Sequence, residues 1–172
     1  MHFFLMILSV SVSILAASSP RTAEWNYTSR TDTPEGWGNA RLSLSSDIKT
    51  PDGKPSLEFV PEYNREEQEW PAHLRFPART ELLKGAKAVE VTFWIKGDAD
   101  TQVAVRVTSS RATHYSATRT YDLTGDWQKI EFKSDITGQI GGRWLSAPRL
   151  LLEKARAGQR FFIGPVTFKA TP

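Results

Sequence analysis

The 172-residue sequence contains no cysteine. That excludes a disulfide scaffold, a thiolate zinc site, an iron–sulfur cluster and a cysteine nucleophile together. Histidine is almost as scarce, with His2, His73 and His114 the whole complement, and none of the usual zinc-ligand spacings occurs. There is no G-x-S-x-G elbow and no glycine-rich phosphate loop. Glycine and proline, at 11 and 10 residues, stay near average usage, so collagen-like and low-complexity classes are also excluded. No long helical periodicity is visible, and the formal net charge is only +3. Such a charge suits anionic partners without requiring them, and without a basic cluster no nucleic-acid partner is expected. What the chain has in quantity is aromatic surface: six Trp, nine Phe and four Tyr.

The one extended apolar run, residues 3–15 (FFLMILSVSVSIL), has the length of a signal-peptide core and is too short to span a bilayer as a helix. Ala16, Ala17 and Ser18 fit an A-x-A-like cleavage site. The expectation is a signal peptide over residues 1–18 and one exported module over 19–172, secreted or periplasmic, with no membrane contact after cleavage. A retained anchor is the alternative. No cysteine follows the run, so a lipoprotein anchor is excluded.

From Trp25 onward, apolar and polar residues alternate in short runs punctuated by Gly, Pro, Asp and Asn, the pattern of strands and turns. The pattern predicts strands over 24–28, 40–45, 56–60, 73–76, 88–96, 101–108, 114–123, 128–133, 149–153 and 160–168. Reversals fall at Asp52-Gly53, Lys84-Gly85, Gly97-Asp98 and Gly125-Asp126. Ten short strands in this length give an all-β fold, a two-sheet β-sandwich or jelly roll. Parity assigns Val89, Val91, Phe93 and Ile95, with Val103, Val105 and Val107, to the core. Ile130, Phe132 and Ile163 join them. The opposite parity turns Trp94, Arg106, Arg75 and His73 outward, onto one face if their strands share a sheet.

Three segments resemble a known family: AVEVTFWIKG at 88–97, LTGDWQKIEF at 123–132 and FFIGPVTF at 161–168. In that order they are similar to the carbohydrate-binding modules of the CenC type, families 4 and 9. Glu35-Gly36-Trp37 and Lys54-Pro55-Ser56-Leu57 sit where those modules carry a Gly-Trp and a Gly-x-x-Ser-Leu segment. The resemblance implies a galactose-binding-like jelly roll that is not catalytic, binds a polysaccharide or oligosaccharide, and commonly works beside glycoside hydrolases. It also implies a packing role for Trp127. Where the family's last strand often carries an Asp pair that helps hold calcium, this chain has Gly164-Pro165. No cofactor is therefore expected, and a structural calcium is doubtful.

Sugar recognition needs flat aromatic faces for the C–H faces of pyranose rings and planar polar groups for the hydroxyls. Aromatic candidates in or beside loops are Trp37, Tyr63, Trp70, Tyr115 and Trp144; Arg75, Arg106, Gln102 and Glu90 are polar candidates. A tryptophan in a sandwich more often covers the core than a ligand, which assigns Trp25 to packing and leaves Trp94 open. The binding set carried forward is Trp37, Trp70, Trp94, Tyr115, Trp144, Arg75 and Arg106.

Catalytic readings are poorer. The acids Glu66, Glu67 and Glu69, and Asp98 and Asp100, could supply a carboxylate pair, yet neighbouring loop acids are ordinarily solvated. Arg79-Thr80-Glu81-Leu82 resembles an element of jelly-roll alginate lyases, but that family's Gln-x-His and Tyr-Lys-Ala-Gly motifs are missing. A lyase acting on an acidic glycan and a structural or adhesive sandwich without sugar binding remain the alternatives.

Overall fold

The structure, a computed structural model, describes residues 19–29, 32–77, 79–83, 85–108, 115–136 and 148–172. Among the described residues, twelve strands make two antiparallel sheets packed face to face, joined by one short α-helix. The strands are β1 (Arg21–Trp25), β2 (Glu35–Trp37), β3 (Ala40–Lys49), β4 (Pro55–Pro61), β5 (His73–Arg75) and β6 (Ala88–Lys96). After them come β7 (Gln102–Thr108), β8 (Tyr115–Asp122), β9 (Gln128–Asp135), β10 (Arg149–Glu153), β11 (Phe161–Ile163) and β12 (Val166–Thr171). The helix α1 (Thr80–Leu83) lies between β5 and β6. The all-β sandwich expected from the alternation is the fold observed.

Strand β6 is the spine of the seven-stranded sheet. Residues Val89, Val91, Phe93 and Ile95 are buried, and each intervening residue is half-buried on the outer face, because side chains alternate along a pleated strand. One edge of β6 pairs with β9; its other edge pairs first with β12 and then with β11. The sequence suggests one strand over 160–168, and the structure divides it at Gly164-Pro165. Proline there cannot donate to a ladder, so the chain breaks and serves two neighbours, with β1 beside β12 and β4 beside β11. Gly164 is required by close packing, since a Cβ would meet Thr50 Cγ2 at 2.5 Å. Its carbonyl accepts a 2.7 Å hydrogen bond from the Tyr27 hydroxyl.

The five-stranded sheet runs β2-β5-β10-β7-β8. Its inner residues Leu74, Val103, Val105, Leu150 and Leu152 meet Phe59, Phe93, Phe132, Phe161 and Phe168 in one core cluster. Every residue assigned to the core by parity is buried there. Trp25 is fully buried too, 5.4 Å from Phe76 and 6.4 Å from Phe168 between ring centroids.

Strand β2 was not expected from the alternation. Gly38 and Asn39 both take positive φ, 76° and 53°, giving a tight reversal between β2 and β3. A Cβ on Gly38 would lie 3.1 Å from Ala72 Cα. The glycine thus lets the chain pass against the start of β5 and hold Trp37 opposite His73.

Candidate functional site

The register of the five-stranded sheet determines which side chains share its outer face. Residues directly opposite one another point the same way. Trp37, His73, Leu151, Ala104 and Thr120 form one row across all five strands, and Glu35, Arg75, Arg149, Arg106 and Thr118 form the next. On the other side of the first row lie Glu153, Gln102 and Asp122. In the middle Leu151 and Ala104 are buried, whereas Trp37 at the edge is exposed.

Trp37 is 47% exposed and is a large aromatic of this face. Its ring lies nearly parallel to that of His73, with centroids 6.2 Å apart, and the Arg75 guanidinium sits 5.4 Å from its centroid. The indole Nε1 donates to Glu35 Oε2 at 3.4 Å. One face of the ring is thereby fixed by neighbours, the condition for a preorganised stacking platform. His73 Nδ1 is 3.0 Å from the Pro71 carbonyl. Burial holds the imidazole below the ordinary histidine range; the Pro71 contact opposes this, and Arg149, Arg106 and Arg75 push it further down. A neutral ring at neutral pH follows.

At the margin of the face Glu153 links two arginines, Arg65 at 3.4 Å and Arg106 at 3.9 Å. Arg65 belongs to the turn Arg65–Glu67 that follows Tyr63. Tyr63 and Trp70, 46% and 56% exposed, line a small depression with Gly38, Asn64, Ala72 and Leu152. Because Leu152 N donates to the Ala72 carbonyl at 2.9 Å, this depression adjoins the Glu153 end of the sheet.

Arg75 and Arg106 share this face with His73, as their parity suggested, and Trp37 joins them from a strand rather than a loop. Trp70 is in a loop beside them. Trp94 does not join: it is half-buried on the outer side of β6, in the other sheet. Glu90 is there as well, 3.3 Å from Lys133. Parity tells which residues of one strand point together, but partner strands decide which sheet they occupy. The Tyr115 side chain and the whole of Trp144 lie outside the described residues. Arg149 was overlooked, although the alternation Arg149-Leu-Leu-Leu-Glu153 places its two charged ends on one side of the strand.

Three of the acids considered for catalysis are engaged elsewhere. Asp100 pairs with Arg156 at 2.8 Å, Asp98 accepts from Gln159 Nε2 at 2.8 Å, and Glu67 is bonded by Asn64. Arg79 pairs with Asp32 at 2.6 Å and lies 5.9 Å from the Trp25 ring, while α1 packs on β1 and β12 of the other sheet. Among the described residues no three His, Asp or Glu cluster where they could hold a metal ion.

No protein-family model and no curated protein matches the sequence. Solved structures do match. The CBM22-1 xylan-binding domain from Paenibacillus barcinonensis Xyn10C aligns over 90% of this chain and 96% of its own, with a TM-score of 0.55 at 14% identity. A family 29 carbohydrate-binding module aligns over 88% and 87%, with a TM-score of 0.57 at 13% identity. The CBM22-1 and GH10 modules of a Clostridium thermocellum endo-1,4-β-D-xylanase, solved with xylohexaose, align over 86% of this chain and 28% of that one, at a TM-score of 0.55 and 13% identity. At such identities the likeness is one of fold, and the chain has the two-sheet jelly roll of carbohydrate-binding modules.

Proposed function

We propose that this chain is a non-catalytic carbohydrate-binding module that holds a polysaccharide or oligosaccharide on the outer face of its five-stranded sheet. The observation that carries this is the exposed Trp37 ring, backed by His73 and Arg75 in a sheet whose next positions are Arg149 and Arg106. A held aromatic plane beside planar donors is the combination that sugar rings and hydroxyls require. Supporting it are fold neighbours whose names describe a xylan-binding domain and CBM22-1 and GH10 modules complexed with xylohexaose. The three segments at 88–97, 123–132 and 161–168 favour the CenC-type branch of these modules. Residues 1–18 serve as an export signal in this reading. Residues 19–172 then act outside the cytoplasm, secreted or periplasmic, beside glycoside hydrolases.

A glycan array run in parallel with an ultraviolet assay for unsaturated lyase products tests the reading. Binding without new absorbance is the expected result. New absorbance would favour a lyase, and neither signal would leave a structural sandwich. Mass spectrometry of the exported protein should find an N-terminus close to residue 19; one at Met1 in the membrane fraction would overturn the export proposal.

A further inference from the structure

On the other side of the sandwich from Trp37, three connections surround an open cavity of about 520 Å³. They are the turn Gly97-Asp98 between β6 and β7, the turn at Gly125 between β8 and β9, and residues 157–160 between β10 and β11. Its floor is the end of the outer face of the seven-stranded sheet, where Lys96 and Phe162 stand directly opposite one another. The volume falls within the roughly 300–1,000 Å³ of small-molecule sites. Glycine keeps it open. Gly125 and Gly158 hold φ values of 89° and 81°, turns that favour a residue without a side chain, and a Cβ on Gly158 would meet nothing within 4 Å. The walls are tied to one another: Gln159 Nε2 donates to Asp98 Oδ2 at 2.8 Å, Gln159 Oε1 accepts from Arg156 N at 2.7 Å, and Arg156 pairs with Asp100 at 2.8 Å. A cavity whose walls are fixed in advance loses less ordering entropy on binding.

The charges around the cavity balance. Arg160 is paired with Glu58 and lies 5.2 Å from the centroid of the Phe162 ring, and Lys96 is set against Asp98 on the same lining. Phe162, 8% exposed beneath Arg160, gives the floor an apolar patch rather than a stacking plane. No net field draws an anion in. What the lining offers is donors and acceptors together: the Lys96 ammonium, half-buried and without an ion pair among the described residues, the Asp98 carboxylate, and the backbone of three glycines. An uncharged ligand carrying several hydroxyls uses both kinds at once. Resting on the sugar-binding reading, we propose that this cavity is a second glycan site, taking a short stretch of a neutral sugar chain and separate from the Trp37 face. The two sites lie on opposite outer sides of the sandwich, so the module holds two chains, or two distant parts of one, and gains avidity on a polymer that a short oligosaccharide cannot give.

The test is titration of the exported, isotope-labelled protein with xylohexaose, cellohexaose and a galacturonate hexamer, followed by amide and indole NMR. With at least one neutral hexaose the Trp37 indole signal and the backbone amides of Gly97, Gly125 and Gly158 should all shift, each group with its own saturation curve. In Trp37→Ala the glycine shifts should persist. In Lys96→Gln their curve should move to about tenfold higher sugar concentration while the Trp37 curve stays in place; Asp98→Asn is the second variant should the first fail to fold. Shifts confined to Trp37 and its neighbours, or glycine shifts that vanish in Trp37→Ala, would overturn the second site and leave the sugar-binding reading standing. Glycine shifts with none at Trp37 would support the cavity and overturn the choice of the Trp37 face. The galacturonate bound in the cavity more tightly than either neutral hexaose would overturn the neutral assignment, and no shift with any of the three would sink both readings.

Discussion

At the scale of single residues, Trp37 and His73 carry opposite kinds of information. Trp37 projects a large apolar ring into water, which costs solvation without helping the core, whereas His73 supports the ring from behind. Trp37→Ala should therefore leave the fold intact and cost about 1–3 kcal/mol of glycan affinity, by analogy with base stacking on aromatics. Titration calorimetry beside a thermal melt checks both halves. His73 predicts a pH dependence. Burial and the surrounding arginines lower its pKa in the folded protein, so as pH falls the unfolded chain takes up a proton first, near the ordinary value of about 6.5. The stability associated with a neutral His73 is present above that pH and is lost progressively below it. Melting temperatures measured from about pH 8 down to about pH 5 should fall with a slope that His73→Gln reduces.

At the scale of elements, β6 shows how far alternation reaches and where it stops. Its boundaries and its buried face follow from Ala88–Lys96 as written, because β-branched and aromatic residues at every second position have one way to be buried. It ends at the expected Gly97-Asp98 reversal, where a tertiary contact also requires the glycine. Gly97 is buried, and a Cβ there would sit 2.8 Å from Phe161 Cε1 and 2.9 Å from Leu123 Cδ1. Gly97→Ala should cost about 1–3 kcal/mol through overpacking, seen as a lower denaturation midpoint with an unchanged m-value. Tyr27 works in a similar way between distant segments. With φ at 63° and a buried hydroxyl donating to Gly164, it ties the chain after β1 to the junction of β11 and β12, and burial raises its pKa. Nothing in the sequence around Tyr27 announces a partner 137 residues away.

At the scale of the whole molecule, the two sheets meet through one apolar layer in which Phe93, 2% exposed, packs among the inner residues of both. Phe93→Ala should remove about 3–5 kcal/mol of stability by leaving a cavity. Lys96→Ala, on the outer face of the same strand, should change it by no more than about 0.5 kcal/mol. Chemical denaturation of both variants makes the comparison. The same layer explains the outer face: with Leu74, Leu150 and Val105 committed inward, their neighbours His73, Arg75, Arg149 and Arg106 have to turn outward together.

The sequence by itself determined most of the strands, their buried faces and the sandwich class, because a period of two and turn chemistry are local properties. It also identified Arg75, Arg106 and Trp37 as outward or accessible residues. Strand β2 escaped notice since three residues, Glu35-Gly-Trp37, are too few to show a period. Only the tertiary structure decided which strands became neighbours. It separated Trp94 from Arg75 and Arg106 by placing β6 in the other sheet, and it brought Arg149 between them although Arg75 and Arg106 are far from it along the chain. The physical reason is that sheet pairing is set by non-local hydrogen bonds and by the packing of whole faces. A face assembled from five strands exists only once all five have found their order.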